Sequence, residues 1–142
     1  MSPKYGPIKN LTGAVRKEKI GLIQAMLQNR QEISFAYVYG SFTEDLPFHD
    51  IDVGIVLSPP AEEGVIPYML DLSQCLSLET QTPVDVRVIN DAPVTFQYSV
   101  IRGFLILMRD EEKHVRFVEE VIRKYLDLKP RIRRAIKEAF AS

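Results

Sequence analysis

Apolar residues recur at the spacing of an α-helix in two stretches of the first two-thirds of the chain. The first stretch predicts an amphipathic helix over residues 15–31, with the apolar positions Ile20, Leu22, Ile23, Met26 and Leu27. The second predicts another helix, with the apolar positions Ile66, Met69, Leu70, Leu72, Leu76 and Leu78. Residues three and four apart share one side of a helix, so each pattern marks a side that packs on a core.

Two further helices are predicted in the last third of the chain. One covers about residues 93–102 and ends at Gly103, a residue type that commonly terminates helices. Asp110 is expected to cap the other, which is long. Pro130 is expected to interrupt this long helix near Leu128, because proline lacks the backbone N–H that a helix interior needs.

Four short runs rich in β-branched and aromatic residues lie between these helices and predict strands over 35–39, 51–57, 84–89 and 104–108. In the third run Val84, Val86 and Val88 alternate with Asp85 and Arg87, as expected for a half-buried strand. Short strands alternating with helices indicate an α/β or α+β fold class built on one small sheet. We expect a single domain over residues 1–142, with a core at about 15–108 and a C-terminal helical segment at about 110–141.

Composition excludes several classes of protein. The 142 residues suit one domain, and 46% apolar with 26% charged residues exclude a disordered or collagenous chain. No apolar run approaches the roughly 20 residues that span a bilayer, and no secretory signal is visible, so no membrane partner is expected. The single cysteine, Cys75, fits a reducing compartment and a small core position. The expected location is cytoplasmic.

Charge is distributed unevenly along the chain. Residues 42–91 carry ten acidic side chains against one basic side chain, Arg87, whereas residues 92–142 carry eleven basic and seven acidic ones. An acidic middle attracts cations and repels a phosphate backbone, so nucleic acid is not expected as a direct ligand. The basic C-terminal segment carries an apolar stripe, Ile132, Ile136 and Phe140. It is either a solvated helix face or a docking surface for an acidic partner.

The candidate chemistry lies after the first predicted strand and inside the second. Gly40 and Ser41 end the first strand, and after eight residues come Asp50 and Asp52. Alternation along a strand places both carboxylates on one face, an unfavourable arrangement unless a cation lies between them. Mg²⁺ prefers carboxylate oxygens together with waters and substrate phosphates. Gly40 permits tight backbone geometry with N–H groups facing a phosphate, and Ser41 adds a hydroxyl donor.

A third carboxylate extends this pattern. Asp85 stands within the apolar third strand, about one helical crossover beyond Asp52. If the second and third strands are neighbours, Asp85 completes a cluster of three acids. Arg87 shares the face of Asp85 and is placed to hold that carboxylate or a phosphate.

The motif Gly40-Ser41…Asp50-Ile51-Asp52, followed by Pro83-Val84-Asp85-Val86-Arg87, resembles the DNA polymerase β-type nucleotidyltransferase superfamily. It is most similar to the branch of minimal nucleotidyltransferases, which are stand-alone proteins of about this length. The resemblance covers roughly residues 35–108, and residues 125–130 are similar to the closing helix of that branch. It implies a small mixed sheet flanked by helices, as in the palm of polymerase β.

The resemblance also implies roles for individual residues. Gly40 and Ser41 hold a nucleotide triphosphate, Asp50 and Asp52 hold Mg²⁺, and Asp85 is the third catalytic carboxylate and metal ligand. Many members of the branch are antitoxins of an all-helical HEPN ribonuclease toxin and resemble protein adenylyltransferases. The implied function is transfer of AMP from ATP to a hydroxyl of a protein partner, a HEPN-type toxin, with two Mg²⁺ ions.

Two other functions stay open. The chain could be a non-catalytic antitoxin that neutralises its toxin by occlusion, or a nucleotide-binding regulator without turnover. Glu44 and Asp45, between the two parts of the motif, favour these alternatives, and the three-acid set favours the enzyme. Arg109 and His114 have the spacing of a HEPN ribonuclease motif, but one helix cannot build that bundle. A homo-oligomer also stays open.

Overall fold

The computed structural model describes residues 13–40 and 50–141. Ser41, Glu44 and Asp45 therefore lie outside the described residues. The eight elements follow in chain order: α1 Gly13–Gln28, β1 Ile33–Tyr39, β2 Ile51–Leu57, α2 Val65–Thr80, β3 Val84–Val88, α3 Val94–Ile101, β4 Phe104–Met108 and α4 Glu111–Phe140. Every helix and strand predicted from the pattern is present, with bounds that differ by a few residues.

The four strands form one mixed sheet in the order β3-β2-β1-β4. Strand β1 is antiparallel to both β2 and β4, whereas β2 and β3 are parallel. Helix α2 makes the crossover between the two parallel strands, which cannot be joined by a tight turn. The expected fold class, a small mixed sheet flanked by helices, is confirmed.

Apolar side chains cover both faces of the sheet. Helices α1 and α2 pack on one face, where Ile23, Leu27, Leu72 and Leu76 meet the inward side chains of all four strands. On the other face Phe35, Tyr37 and Val56 pack against Val100 of α3, with Phe117 of α4 beside them. A sheet covered on both faces explains why these strands contain few polar residues.

Helix α3 lies very close to the sheet at Gly54. A Cβ atom added to this residue of β2 would lie 2.6 Å from Cγ1 of Val100. Any larger residue at position 54 would therefore push α3 off the sheet. This close approach holds α3 against the same face on which the side chains of Asp52 and Asp85 lie.

The prediction that Pro130 interrupts the last helix near Leu128 is wrong. Helix α4 runs without interruption from Glu111 to Phe140, with Pro130 inside it. Proline removes one backbone hydrogen bond, but the residues that follow are mostly Arg, Ala, Lys and Glu, which have high helix propensity and restore the helix. The prediction at the start of this helix is confirmed, since the Asp110 side chain accepts a hydrogen bond of 3.2 Å from the backbone N–H of Lys113.

No helix in the two described ranges is both long enough and apolar enough to span a bilayer. The longest, α4, is strongly charged along its length.

Candidate functional site

The predicted site residues lie where β1 ends and where β2 and β3 begin. Tyr39 of β1 is the register partner of Asp52 of β2, and Asp52 is in turn the register partner of Asp85 of β3. Residues directly opposite each other on paired strands point to the same face. Three side chains, a phenol and two carboxylates, are therefore aligned across three strands, as the sequence predicted for the two acids.

Asp50 lies one residue before β2 and is exposed. Its charge raises the pKa of Asp52, so it belongs to the same electrostatic environment. The backbone N–H of the next residue, Ile51, donates to the carbonyl of Pro83 at 2.9 Å, which holds the start of β2 beside the start of β3. Asp50 thus lies at the open edge of the site rather than within the sheet.

Gly40 fits directly against the central carboxylate. Its φ is +84°, a conformation that favours glycine, and a Cβ atom added there would lie 2.7 Å from Oδ2 of Asp52. Only a residue without a side chain leaves the Asp52 oxygen accessible at this turn. The prediction that the Gly-Ser turn lies beside the carboxylates is confirmed for Gly40; Ser41 lies outside the described residues.

The central carboxylate resists ionisation. Burial, followed by the charges of Asp50 and Asp85, raises the pKa of Asp52 to about 6, and Arg87 opposes this shift. Burial, followed by the charges of Asp52, Asp85 and Asp50, raises the pKa of the Tyr39 hydroxyl. A cation placed among these groups would remove the repulsion between carboxylates.

Arg87 binds Asp85 rather than lying free. Its Nε donates to Oδ2 of Asp85 at 3.2 Å, and the two side chains are 55% and 44% exposed. The pairing that the sequence predicted for these two residues is present, on the rim of the site. One arginine cannot balance three carboxylates, so the site keeps a net negative charge.

The oxygen donors of the site fit a hard divalent cation, since Asp52 and Asp85 are adjacent carboxylates. Within residues 13–40 and 50–141, however, no group of three or more Asp, Glu, His or Cys side chains converges as a metal site. The convergence of Asp50, Asp52 and Asp85 on metal ions therefore stays a prediction.

Sequence reasoning did not identify the aromatic wall of the site. The rings of Tyr39 and Phe96 are in edge-to-face contact with centroids 5.8 Å apart, and Phe96 lies on α3. The wall gives the carboxylates an apolar border on the side of β1. In the sequence, the one sign of this wall is that Tyr39 directly precedes Gly40. The strand register, which pairs Tyr39 with Asp52, is what places the ring in the site.

Arg109 and His114 have structural contacts. The Arg109 guanidinium donates to four backbone carbonyls, those of Leu27, Gln28, Arg30 and Ile33, at 2.7–3.1 Å. His114 is joined to the Tyr37 hydroxyl by a hydrogen bond of 2.6 Å and packs edge-on against Phe35. Arg109 therefore clamps the end of α1 to the sheet, and the resemblance of this pair to a ribonuclease motif has no support in their contacts.

A family model described as "Polymerase beta, Nucleotidyltransferase" matches residues 22–112, which contain every element from the middle of α1 to the start of α4. A search of the curated proteins gives no match to this sequence.

Several solved structures share the fold. A chain in the structure of tri-AMPylated Shewanella oneidensis HEPN toxin in complex with MNT antitoxin is 16% identical, with a TM-score of 0.68, and the match covers 89% of this chain and 99% of that one. A toxin-antitoxin structure with AMP-PNP is 18% identical, with a TM-score of 0.68 and coverage of 88% and 98%. A toxin-antitoxin MntA-HepT structure is 16% identical, with a TM-score of 0.65 and coverage of 92% and 100%.

Proposed function

This chain belongs to the polymerase beta nucleotidyltransferase family, and from that premise we propose that it transfers AMP from ATP to a hydroxyl of a protein partner, a HEPN-type toxin. The observation that carries the proposal is the register pairing of Asp52 with Asp85 beside Gly40. The similar structures support it, since one is a tri-AMPylated HEPN toxin with MNT antitoxin and another contains AMP-PNP. Cytoplasmic location is part of the proposal.

In this proposal Asp50, Asp52 and Asp85 hold two Mg²⁺ ions. The raised pKa of Asp52 supports this role, because a group of acids that repel one another is stabilised by bound cations. Bound Mg²⁺ would neutralise the charge that develops on the triphosphate during the reaction. Among the described residues Arg87 is the one positive group that lowers the pKa of Asp52, so this part of the chain supplies little of that neutralisation itself.

Gly40, Ser41 and Arg87 hold the nucleotide in the proposed complex. Gly40 has no side chain, so its backbone lies close to the Asp52 carboxylate at the turn where the triphosphate would bind. Arg87 is half-exposed, so its guanidinium has donors that remain for a phosphate while Nε binds Asp85. Tyr39 and Phe96 border this space with aromatic rings.

The proposed reaction is an in-line displacement at the α-phosphorus of ATP. The partner's hydroxyl oxygen forms the new bond to phosphorus, the bond to the β-phosphate oxygen breaks, and pyrophosphate leaves. The hydroxyl proton passes to a carboxylate oxygen of Asp85, whose side chain on β3 is partly exposed to solvent. The rate gain comes mainly from positioning and charge neutralisation, as in other phosphoryl transfers.

A second candidate function is an antitoxin that binds its toxin without catalysis. It is favoured by the absence, among the residues that the structure describes, of three converged metal-binding side chains. It is also favoured by Glu44 and Asp45, which add negative charge to the sequence between Gly40 and Asp50.

One incubation separates the two candidates. The purified chain is mixed with ATP labelled at the α-phosphate, Mg²⁺ and the product of the adjacent gene, and label on that protein is measured. We expect transfer that requires Mg²⁺ and is lost in Asp52→Asn, while the exposed control Asp91→Asn transfers normally. If the wild type binds the partner but transfers no label, the chain is a non-catalytic antitoxin and the proposed transferase activity is wrong.

A further inference from the structure

Helix α2 carries an exposed apolar row on the side opposite its buried residues. Ile66, Leu70 and Leu78 are 64%, 68% and 73% exposed and are spaced by multiples of four residues. Beside this row lie Asp71 and Glu79, each one residue further along the helix. We call these five residues, with Glu63 just before the helix, the α2 row. An apolar row bordered by acids is typical of an interaction surface rather than of a solvated helix.

The end of α4 has the same arrangement with the opposite charge. Ile132, Ile136 and Phe140 form an exposed apolar row, also spaced by four residues. Arg133 and Lys137 each follow one residue after a member of this row, and Lys129 extends the basic line toward the start of the helix. These six residues are the α4 row. All residues from 129 to 141 are exposed, so nothing in the described part of the chain covers it.

The charges of both rows have few partners within the described chain. Asp71 pairs with Arg30 at 3.4 Å, but none of the other described ion pairs or hydrogen bonds involves a charged side chain of either row. The apolar residues span roughly 18 Å in the α2 row, from Ile66 to Leu78, and roughly 12 Å in the α4 row, from Ile132 to Phe140, at 1.5 Å per residue. The apolar part of the α4 row therefore covers about two-thirds of that of the α2 row.

The position of the charged residues relative to the apolar ones, around each helix, determines whether the two helices pack parallel or antiparallel. Asp71 and Glu79 in the α2 row, and Arg133 and Lys137 in the α4 row, each lie one position after an apolar residue of the row, which is a rotation of about 100° in the same sense. When two such helices pack face to face in antiparallel orientation, both charged lines fall on the same side of the contact. In parallel orientation they fall on opposite sides. Antiparallel packing therefore joins apolar to apolar and acid to base at once.

We propose that two copies of this chain associate through these surfaces, with the α4 row of each copy packed antiparallel on the α2 row of the other. A second copy is the occupant that supplies both the acidic and the basic surface. The exchange is reciprocal, so it closes a dimer with two identical contacts. This proposal does not depend on the proposed transferase activity, and neither row contains Asp50, Asp52 or Asp85.

Charge reversal tests the proposal on the full chain by sedimentation velocity across a range of concentrations. The base-reversed variant carries Lys129→Glu, Arg133→Glu and Lys137→Glu, and the acid-reversed variant carries Glu63→Lys, Asp71→Lys and Glu79→Lys. All six positions are exposed, and circular dichroism checks the fold of each variant. The control variant, Arg131→Glu with Arg134→Glu, changes charge in the same turns of α4 but outside the α4 row.

The wild type and the control variant are expected to form dimers with the same affinity. Each reversed variant alone places like charges opposite one another and should bind itself about a hundredfold more weakly. An equimolar mixture of the two reversed variants should dimerise again, because the acidic α4 row of one meets the basic α2 row of the other. A merely structural effect of the substitutions would not be rescued by mixing.

Three results would overturn the proposal. The first is a wild type that stays monomeric up to millimolar concentration. The second is a dimer that neither reversed variant weakens, or whose loss is not repaired by mixing. The third is a chain that dimerises only after residues 1–12 are deleted, which would make that segment the occupant of the α2 row.

Discussion

Two clusters of charged side chains lie at opposite ends of β1, and they differ in how their charges are balanced. At the C-terminal end, the charges of Asp50 and Asp85 add to burial in raising the pKa of Asp52 to about 6. At the N-terminal end, a hydrogen bond from Tyr68, followed by the charges of Arg30 and Arg109, lowers the pKa of Glu32.

The contacts explain this contrast. The Tyr68 hydroxyl donates to Oε2 of Glu32 at 2.6 Å, and Arg30 pairs with Asp71 at 3.4 Å while lying over the Tyr68 ring. A cavity of about 570 Å³ adjoins these side chains. Every charge in this N-terminal cluster has a partner, so the cluster holds elements together. In the C-terminal cluster Arg87 pairs with Asp85, but the charges of Asp50 and Asp85 still raise the pKa of Asp52. Such an excess of negative charge is typical of a site that binds a cation.

The largest effect is expected from Asp52→Asn, which removes the central charge at nearly constant shape. Transfer of AMP should fall by orders of magnitude, since the site loses an ionised oxygen donor. Without metal, the free energy of unfolding should stay the same or rise by about 0.5–2 kcal/mol, because repulsion is relieved. Thermal unfolding of the variant and the wild type, with and without Mg²⁺-ATP, measures the stability of the chain without metal and its stabilisation by the ligand. A variant destabilised without metal but still stabilised by Mg²⁺-ATP would make Asp52 a structural strand residue.

Arg109→Met should be the most destabilising change in the balanced region. Its guanidinium donates to four backbone carbonyls around the end of α1, and methionine removes all four of these hydrogen bonds, so that the Leu27 and Arg30 carbonyls keep only their backbone donors. The free energy of unfolding should fall by about 2–4 kcal/mol, since part of this region is reached by water. Urea denaturation gives the value, and Arg116→Met, which removes only an exposed pair with Glu112, is the matched control. A loss as small as that of the control would show that the clamp contributes little.

Gly40→Ala tests whether the backbone beside Asp52 is itself part of the site. The new Cβ would meet Oδ2 of Asp52 in a left-handed conformation, so we expect a loss of about 1–2 kcal/mol in stability. Stabilisation by Mg²⁺-ATP should fall more than the stability of the chain without ligand. The control is Gly21→Ala in α1, where an added Cβ meets nothing within 4 Å. Unchanged ATP binding in Gly40→Ala would contradict the proposed role.

Tyr68→Phe should destabilise the chain by about 1 kcal/mol, the usual net contribution of a hydrogen bond. The hydroxyl is the main cause of the lowered pKa of Glu32, whereas the site at the other end of β1 is not in contact with it. Transfer activity should therefore be unchanged. A loss of activity larger than the loss of folded protein would mean that the two ends of β1 are coupled.

The smallest effect concerns the dependence of stability on pH. The pKa of Glu32 is lower in the folded chain than the value of about 4.3 expected in the unfolded one, so its stabilisation is complete above that value. It is lost as pH falls through the folded pKa. Glu32→Gln should show a shallower loss of stability between neutral and acid pH, measured by urea denaturation. If the free energy of unfolding falls equally steeply with decreasing pH in the variant and the wild type, Glu32 does not contribute to the pH dependence of stability.

The sequence by itself determined the order of helices and strands and the identity of the acids at the site. Local signals were sufficient for this, because helical spacing, strand alternation and the Asp110 cap depend on residues close in sequence. Alternation also predicted that Asp50 and Asp52 share one face, although β2 begins only at Ile51. The same local logic failed at Pro130, where the following helix-favouring residues outweighed the loss of one hydrogen bond.

Only the tertiary structure decided which of these residues meet. The pairing of Asp52 with Asp85 and with Tyr39, and the approach of Gly40 to the Asp52 carboxylate, depend on strand register. Pairs such as Tyr68 with Glu32, or Arg109 with the end of α1, join residues 36 to 82 positions apart. Register and such distant contacts come from the packing of both faces of the sheet at once, a cooperative condition that no local pattern contains.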